Sequence, residues 1–155
     1  MNPKFRIVVS DLDQKFKRLL SMPPAKLDTL PRAMPKQGVY LLSQGSRHLY
    51  VGRTNRLRHR LQEHGRSSAD HFSATFAFLI ARHKTGRTRA AYTKEGARAK
   101  LAASPGFGRA FARARERVAR MDVRWVAEPR QVRQALLEIY AATVLGTKYN
   151  RFKTY

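Results

Sequence analysis

The stretch Gly38–His64 reads GVYLLSQGSRHLYVGRTNRLRHRLQEH, and it decides the fold. Two short apolar runs flank a polar tip that contains Gly45. Alternating runs joined by a short glycine-containing tip are typical of a β-hairpin. If Tyr40 lies opposite Tyr50, the alternation of side chains along each strand puts both phenol rings on one face. The opposite face is then apolar and suited to a core, with Val39, Leu41, Leu49 and Val51.

A helix is predicted immediately after this hairpin. Thr54 or Asn55 is suited to cap its N-terminus, and Gly65 is suited to end it. At about 100° per residue, Arg60 and His64 lie beside the apolar stripe of this helix rather than on its solvent side. An arginine and a histidine four residues apart, close after a strand that carries a tyrosine, form a candidate site.

The order of these motifs resembles the GIY-YIG nuclease family. Gly38-Val39-Tyr40 is followed by Tyr50-Val51-Gly52, and then by Arg60 and His64 on the predicted helix. The spacing between the two tyrosines lies toward the short end of the family's usual range. The resemblance implies an α+β fold in which helices flank a small three-stranded antiparallel sheet. With the positions near the C-terminus described below, it spans about 38–150 and implies one nuclease-like domain at 38–155.

Residues 1–37 form an N-terminal arm outside the resemblance. Phe5 to Val9 is predicted as a short strand, and a helix is predicted over about 11–21, ended by Pro23-Pro24. Packing on the domain, contact with DNA and self-association are all open roles for this arm. Packing is the one we expect.

The middle of the chain is rich in basic residues. A helix is predicted over about 73–84, although its apolar residues also fit the period of a strand. The segment 86–120 is longer than the compact family core requires, so we interpret it as a basic insertion, with a helix over about 107–120. This surface is predicted to follow nucleic-acid phosphates, with a solvated charged face as the alternative. The arginines assigned to phosphate are Arg109 and Arg113.

A third strand is predicted over 122–127, and a last helix over about 130–145. Glu138 is the only charged residue in the apolar run ALLEIYAATVLG at 135–146. A buried carboxylate is costly unless it is paired or bound to a metal. A glutamate at the helix edge that meets one of the many arginines is the alternative interpretation. The resemblance implies that Glu138 binds the divalent metal, Mg²⁺ or Mn²⁺, and that Asn150 supports the site from behind.

The resemblance also implies catalytic roles. Tyr40 lies near the attacking water as general base or relay, and Tyr50 positions the phosphate or the water. Arg60 clamps the scissile phosphate, and His64 is a second candidate base. A free phenol has a pKa of about 10, so Arg53 and Arg60 are expected to lower the pKa of Tyr40 for catalysis near neutrality. Packing is the alternative, since tyrosines in hairpins usually serve that purpose.

Two further residues are assigned to substrate phosphate. Arg53 stands where some family members carry lysine, and arginine does not release a proton, so a phosphate contact is the expected role. His71 matches a histidine that family members often carry just before the next helix. Polar surface is the alternative interpretation for His71 and for His64.

The charge of the chain indicates a polyanionic partner. There are 32 Lys and Arg residues against 10 Asp and Glu, a formal net charge of +22. Such an imbalance is self-repelling unless a polyanion neutralises it. Nucleic acid is the leading partner, and a ribosomal-type binder or an anionic membrane surface is the alternative. The chain has no cysteine, which excludes disulfides, thiolate zinc sites and a cysteine nucleophile.

The sequence thus predicts a divalent-metal-dependent endonuclease that hydrolyses phosphodiester bonds in DNA. A non-catalytic basic nucleic-acid-binding protein on the same fold, directed to RNA or DNA, is the alternative. Cleavage of both strands would need a homodimer or two sequential visits. No run approaches the length of a membrane span and the N-terminus lacks a signal-peptide core, so we expect a cytoplasmic, nucleoid-associated protein without a membrane partner.

Overall fold

The computed structural model describes residues 1–66, 70, 73–87 and 97–152. At its centre lies a four-stranded antiparallel sheet with the strand order β1-β4-β2-β3. The prediction of three strands is corrected, because a two-residue segment of the N-terminal arm adds a fourth strand beside β4. The strands are β1 (Ala25–Lys26), β2 (Gly38–Gln44), β3 (Arg47–Thr54) and β4 (Asp122–Ala127).

The hairpin of β2 and β3 has a different register from the predicted one. Tyr40 lies opposite Gly52, and Tyr50 lies opposite Leu42. A bulge after Leu42 leaves Leu49 without a partner, which moves Leu49 to the tyrosine side of the sheet. From Gly38 to Leu42 the pairing is displaced by two positions from the predicted one, so both tyrosines still share one face, as predicted.

Helices cover both faces of the sheet. Four were predicted close to their observed bounds, namely those at about 11–21, 73–84, 107–120 and 130–145, and the helix after the hairpin ends at Gly65 as expected. The helices of the described residues are α1 (Pro3–Val9), α2 (Leu12–Ser21), α3 (Leu57–Gly65), α4 (Thr75–Lys84), α5 (Ala97–Ala103), α6 (Pro105–Ala119) and α7 (Gln131–Leu145).

The first helix replaces a predicted strand. Phe5 to Val9 was predicted as a short strand, but the side chain of Asn2 accepts a hydrogen bond from the backbone N–H of Lys4 at 2.9 Å, which starts a helix. Pro3 at the first helical position adds a second start signal. Ile7 remains 66% exposed, so the alternating apolar residues do not serve a buried sheet.

Two separate apolar clusters cover the two faces of the sheet. On one face, α2 and α7 pack against Val39, Leu41 and Val51 of the hairpin, so the N-terminal arm is packed on the domain. On the other face, α3, α4 and α6 pack around the tyrosines. The tyrosine face is therefore buried as well, and the second half of the basic segment contributes core residues such as Phe107 and Phe111.

Candidate active site

Gly52 lets the ring of Tyr40 cross the edge strand of the sheet. A Cβ atom at position 52 would lie only 2.3 Å from Cζ and 2.4 Å from the hydroxyl oxygen of Tyr40. No larger residue fits there without displacing the ring. The hydroxyl reaches α3, where it contacts Nε2 of His64 at 2.8 Å. Gly52 of the motif Tyr50-Val51-Gly52 thus has a steric role, because only a residue without a side chain leaves room for the ring of Tyr40.

Tyr40 and His64 form a dry, neutral pair. Each side chain is only 1% exposed. Within the described residues, Nδ1 of His64 has no hydrogen-bond partner. A neutral imidazole has one N–H, so the 2.8 Å contact is compatible with either direction of the hydrogen bond. If Tyr40 donates to Nε2, the proton on the ring lies at Nδ1.

Burial controls the protonation of this pair. It lowers the pKa of His64 to about 3, and the nearby charge of Arg60 lowers that pKa further. Burial also raises the pKa of Tyr40 well above its ordinary value, and the neighbouring Tyr50 adds to the rise. Arg60 opposes this rise without overcoming it. The expectation that nearby arginines lower the pKa of Tyr40 is wrong, because removal of the phenol from water outweighs them.

Tyr50 completes an aromatic wall around the pair. Its ring centroid lies 6.3 Å from that of Tyr40 and 6.3 Å from that of His64. On its other side it stacks on Phe76 of α4, with centroids 4.8 Å apart. Burial raises the pKa of Tyr50, and the charge of Glu138 raises it further. The hydroxyl of Tyr50 is therefore neutral near pH 7.

Arg60 is held by the start of the next helix. Its NH1 donates to Glu63 at 2.9 Å and to the backbone oxygen of Ser73 at 3.1 Å. Its NH2 donates to Oγ1 of Thr75 at 2.5 Å. These bonds fix the guanidinium beside Tyr40, whose pKa it lowers in part. An incoming phosphate would meet a positioned arginine that already has protein acceptors.

Glu138 lies beside the same edge strand and pairs with Arg53. Oε2 of Glu138 accepts from Nε of Arg53 at 2.9 Å, and the two side chains are 19% and 46% exposed. Burial raises the pKa of Glu138, and Arg53 counteracts part of the rise. The charge of Glu138 also raises the pKa of Tyr40, which places this carboxylate within electrostatic reach of the pair. The helix-edge ion pair foreseen as the alternative is present.

Asn150 closes the open edge of β3. Its Oδ1 accepts from the backbone N–H of Val51 at 2.8 Å, and its Nδ2 donates to the carbonyl of Val51 at 2.7 Å. Thr147 donates to the same Oδ1 at 2.8 Å. Asn150 thus acts as a substitute strand partner and positions the centre of β3. This arrangement agrees with the supporting role that the resemblance implies for Asn150. Asn150 contacts the backbone of β3 and not the tyrosine side chains.

The remaining assigned residues lie apart from this group. Arg109 and Arg113 are exposed on α6, a different helix from those that hold the candidate site. His71 falls outside the described residues. The structure therefore brings together six of the assigned side chains at or beside β3, and Asn150 binds the strand itself. These six are Tyr40, Tyr50, Arg53, Arg60, His64 and Glu138.

Sequence reasoning missed the residues that hold this group in place. Phe76 forms the aromatic wall behind Tyr50, and Thr75 and Ser73 anchor Arg60. The only signal for them was their position at the start of a predicted helix. The steric role of Gly52 was also missed, although a glycine within a strand often marks a close approach.

The metal implied by the family resemblance fits the donor chemistry in one respect. Glu138 offers a carboxylate, and Mg²⁺ often takes one or two protein carboxylates while it keeps several waters. Arg53 already occupies Oε2, so a metal ion must share or replace that contact. Among the described residues, no group of three or more His, Cys, Asp or Glu side chains is placed to hold a metal.

Comparisons with known proteins returned no match. No protein-family model matches the chain, and neither a curated protein nor a solved structure matches it. In the part of the chain that the structure describes, no helix combines the length and apolar character needed to cross a membrane.

Proposed function

We propose that this protein is a divalent-metal-dependent endonuclease that hydrolyses phosphodiester bonds in DNA. The observation that carries the proposal is the buried contact of 2.8 Å between the Tyr40 hydroxyl and Nε2 of His64, held beside Arg60. The motif resemblance to GIY-YIG nucleases and the net charge of +22 support it. Association with DNA, and with the nucleoid, follows from the proposal.

In the proposed reaction, Tyr40 relays a proton. The attacking water gives its proton to the Tyr40 oxygen while Tyr40 gives its own proton to Nε2 of His64. The water oxygen forms a bond to phosphorus, and the bond from phosphorus to the leaving sugar oxygen breaks. The electron pair of that bond stays on the sugar oxygen, which takes a proton from a solvent water. This route avoids a free phenolate, which the raised pKa of Tyr40 disfavours. It requires the tautomer of His64 with its proton on Nδ1.

Substrate binding would favour this relay. With its pKa near 3, His64 is a weak base in the free protein. A phosphate bound against Arg60 would neutralise the charge that contributes to this low pKa, so the basicity of His64 would rise when substrate arrives. Burial is the larger cause of the low pKa and stays in place, so this rise is partial. Arg60 also stabilises the negative charge that develops on the phosphate.

The ion pair at Glu138 supplies the second half of the site. Glu138 would hold the divalent ion, and a bound Mg²⁺ or Mn²⁺ supplies charge stabilisation for the phosphate and the leaving oxygen. Arg53 favours the ionised form of the carboxylate before that ion binds, since it opposes the rise in pKa that burial causes. Once displaced, the half-exposed Arg53 is free to contact a neighbouring phosphate.

A non-catalytic nucleic-acid-binding protein is the second candidate. Two observations favour it, namely the Arg53–Glu138 ion pair and the three protein acceptors that Arg60 already contacts. Both arrangements stabilise the fold without any substrate. The positive charge of the chain serves a binding protein equally well.

Plasmid cleavage separates the two candidates. Supercoiled plasmid is incubated with the wild type and Mg²⁺ or Mn²⁺, with EDTA as the metal-free control, and a structured RNA is tested in parallel. Glu138→Ala removes the metal ligand, and Glu116→Ala removes an exposed carboxylate on α6 as the matched control. We expect metal-dependent nicking or linearisation by the wild type and by Glu116→Ala, and none by Glu138→Ala.

The opposite results are equally clear. Tight, salt-sensitive binding without cleavage under any metal would establish the binding protein. Cleavage of RNA alone would redirect the substrate assignment. Nicked circles indicate single cuts, and linear product indicates paired cuts that need a second copy or a second visit.

A further inference from the structure

A cationic pocket lies at the start of β3, at the opposite end of this strand from Arg53. It has a volume of about 210 Å³ and is open to solvent. Its wall brings together the start of β3, the C-terminal ends of α4 and α6, and the segment after α7. The lining cations are Arg47, Lys84, Arg117 and Lys148. His83, Leu49 and Tyr149 complete the wall.

The positive charges of this pocket are not neutralised within the described residues. None of its four cations takes part in an ion pair there, in contrast with Arg53 and Arg133, which each bind a carboxylate. Arg117 directs Nε and NH2 to the neutral amide oxygen of Gln44, at 3.0 and 2.7 Å. Among the residues that the structure describes, no carboxylate lines the pocket. Four full positive charges thus face one small volume without a counter-charge from that part of the chain.

The histidine of the pocket offers an anion a further hydrogen-bond donor. Arg151 contacts Nε2 of His83, and arginine only donates, so Nε2 accepts and the histidine is neutral. Burial lowers the pKa of His83, and the charges of Arg151 and Lys148 lower it further. The proton of His83 then lies on Nδ1, where it can serve as a donor. A phosphate in this pocket would find charge and donors together.

Helix dipoles explain how the cluster is tolerated before a ligand binds. Lys84 and Arg117 lie in the last turns of α4 and α6. Cations in the last turn of a helix are stabilised by its dipole. Carbonyl groups at these ends offset part of the repulsion. These carbonyl groups also carry partial negative charge, so the cations of the pocket must outweigh them when a phosphate binds.

The pocket shares a wall with the candidate active site. The ring of Tyr149 lies 5.3 Å from Phe76, which stacks on Tyr50. Arg47 and Arg53 are six residues apart along β3, or about 20 Å at the rise of an antiparallel strand. One strand of a DNA duplex advances about 3.4 Å along the axis per nucleotide, so this span corresponds to about six nucleotides.

We propose that this pocket binds one backbone phosphate of the nucleic-acid strand, several nucleotides from the phosphate that is cleaved. The position relative to cleavage rests on the proposed nuclease function, whereas phosphate binding by the pocket does not. The pocket would set the register of the strand along β3. Phosphate contacts of this kind position a strand without reading its sequence.

A matched pair of variants tests the proposal. Arg47→Gln with Lys148→Gln removes two exposed pocket cations, and Lys4→Gln with Arg6→Gln removes two exposed cations of α1. Both double variants lower the net charge equally. Fluorescence anisotropy measures their affinity for a labelled DNA duplex in EDTA, so that no cleavage occurs. Circular dichroism checks that both remain folded.

We expect the pocket variant to lose about tenfold more affinity than the α1 variant at about 50 mM salt. The slope of log K against log salt should decrease by about 0.9, the value for one lost phosphate contact. Equal losses in the two variants would overturn the proposal. A wild type that binds neither DNA nor RNA would overturn both this proposal and the proposed function.

Two further arms identify the source of the phosphate and separate the two proposals. Single phosphates along the duplex are replaced one at a time by neutral methylphosphonates. At one position the replacement should weaken DNA binding by the wild type and leave DNA binding by the pocket variant unchanged. Saturable binding of inorganic phosphate to the pocket, without any such position, would overturn the nucleic-acid source. Retained pocket binding in a protein that never cleaves would overturn only the nuclease. Cleavage by the wild type, together with equal losses of DNA affinity in both double variants, would overturn only the proposal that the pocket binds a phosphate.

Discussion

Tyr40 and Glu138 flank the same edge strand in opposite surroundings. Tyr40 shares a dry, neutral contact with His64, and neither side chain is measurably open to water. Glu138 shares a charged contact with Arg53, whose side chain is 46% exposed. The first pair depends on close packing over Gly52, whereas the second depends on charge at the rim.

This difference separates what is preorganised from what must rearrange. In the protein without substrate, the dry pair has one arrangement, because close packing keeps water away from its atoms. The rim pair is able to exchange Arg53 for another cation, since exposed ion pairs contribute only about 0–1 kcal/mol. Under the proposed function, a ligand would displace Arg53 from Glu138 at the rim, while the contact between Tyr40 and His64 would keep its geometry.

The largest effect on cleavage is expected from removal of the Tyr40 hydroxyl in the buried pair. Tyr40→Phe deletes the relay, so single-turnover DNA cleavage should fall by about 10²–10⁴. It also leaves Nε2 of His64 without a partner, which should lower the free energy of unfolding by about 1–3 kcal/mol. Tyr140→Phe is the matched control, since it deletes a surface hydroxyl that donates to Asp13. Equal cleavage by the two variants would remove Tyr40 from the mechanism.

Burial of His64 predicts a strong dependence of stability on pH. Its pKa is about 3 in the folded protein against an ordinary 6.5, so the unfolded state binds the extra proton between these values. The contribution of neutral His64 to the free energy of unfolding is fully present above pH 6.5 and is lost as the pH falls toward the folded pKa. At 1.36 kcal/mol per unit, the loss from this group is about 3 kcal/mol by about pH 4. His64→Leu removes it, so the stability difference between wild type and variant should shrink with acid in urea unfolding. A constant difference would show that His64 titrates normally.

The packing that separates the two sides depends on Gly52. Gly52→Ala places a Cβ 2.3 Å from the Tyr40 ring, so the ring must move. We expect a loss of about 1–3 kcal/mol in the free energy of unfolding and a loss of cleavage. Gly106→Ala is the control, because a Cβ there meets nothing within 4 Å. Unchanged stability and cleavage in Gly52→Ala would contradict the steric role of this glycine.

The smallest effect is expected at the rim. Burial raises the pKa of Glu138, so the folded state holds a proton more tightly than the unfolded state. Unfolding free energy therefore decreases as the pH rises through the folded pKa. Arg53→Gln removes the opposing charge, which should raise this pKa further and shift the decrease to higher pH. Chemical denaturation across the acid range measures it, with Arg109→Gln as the control. An identical pH profile in both variants would show that Arg53 does not influence Glu138.

Sequence periodicity predicted most elements that surround the site. The helix that holds His64 was predicted from its apolar spacing and from Gly65 at its end, and the helix that holds Glu138 was predicted over about 130–145 after Glu128-Pro129. The hairpin was predicted, but its register was not, since a bulge at Leu49 is determined by packing on both faces. The strand Ala25–Lys26 was missed because two residues carry no period.

The candidate site was predicted as a set of residues but not as an electrostatic environment. The motif placed Tyr40 beside Arg60, and that neighbourhood is present. The direction of the Tyr40 pKa shift was wrong, because burial depends on α3 and α4 closing over the ring, which sequence spacing does not reveal. The ion pair between Arg53 and Glu138 joins residues 85 positions apart and was foreseen only as a general alternative.

A double-mutant cycle in single-turnover cleavage tests most directly whether the two sides of β3 form one catalytic site. The rates of wild type, Tyr40→Phe, Glu138→Gln and the double variant are measured on the same DNA, at protein concentrations that saturate binding. Residues that act as a unit give grossly non-additive losses. We predict that each single variant loses at least about a hundredfold and that the double variant is little slower than the worse single one. Near-wild-type rates in either single variant, or losses that multiply fully in the double variant, would contradict a shared site.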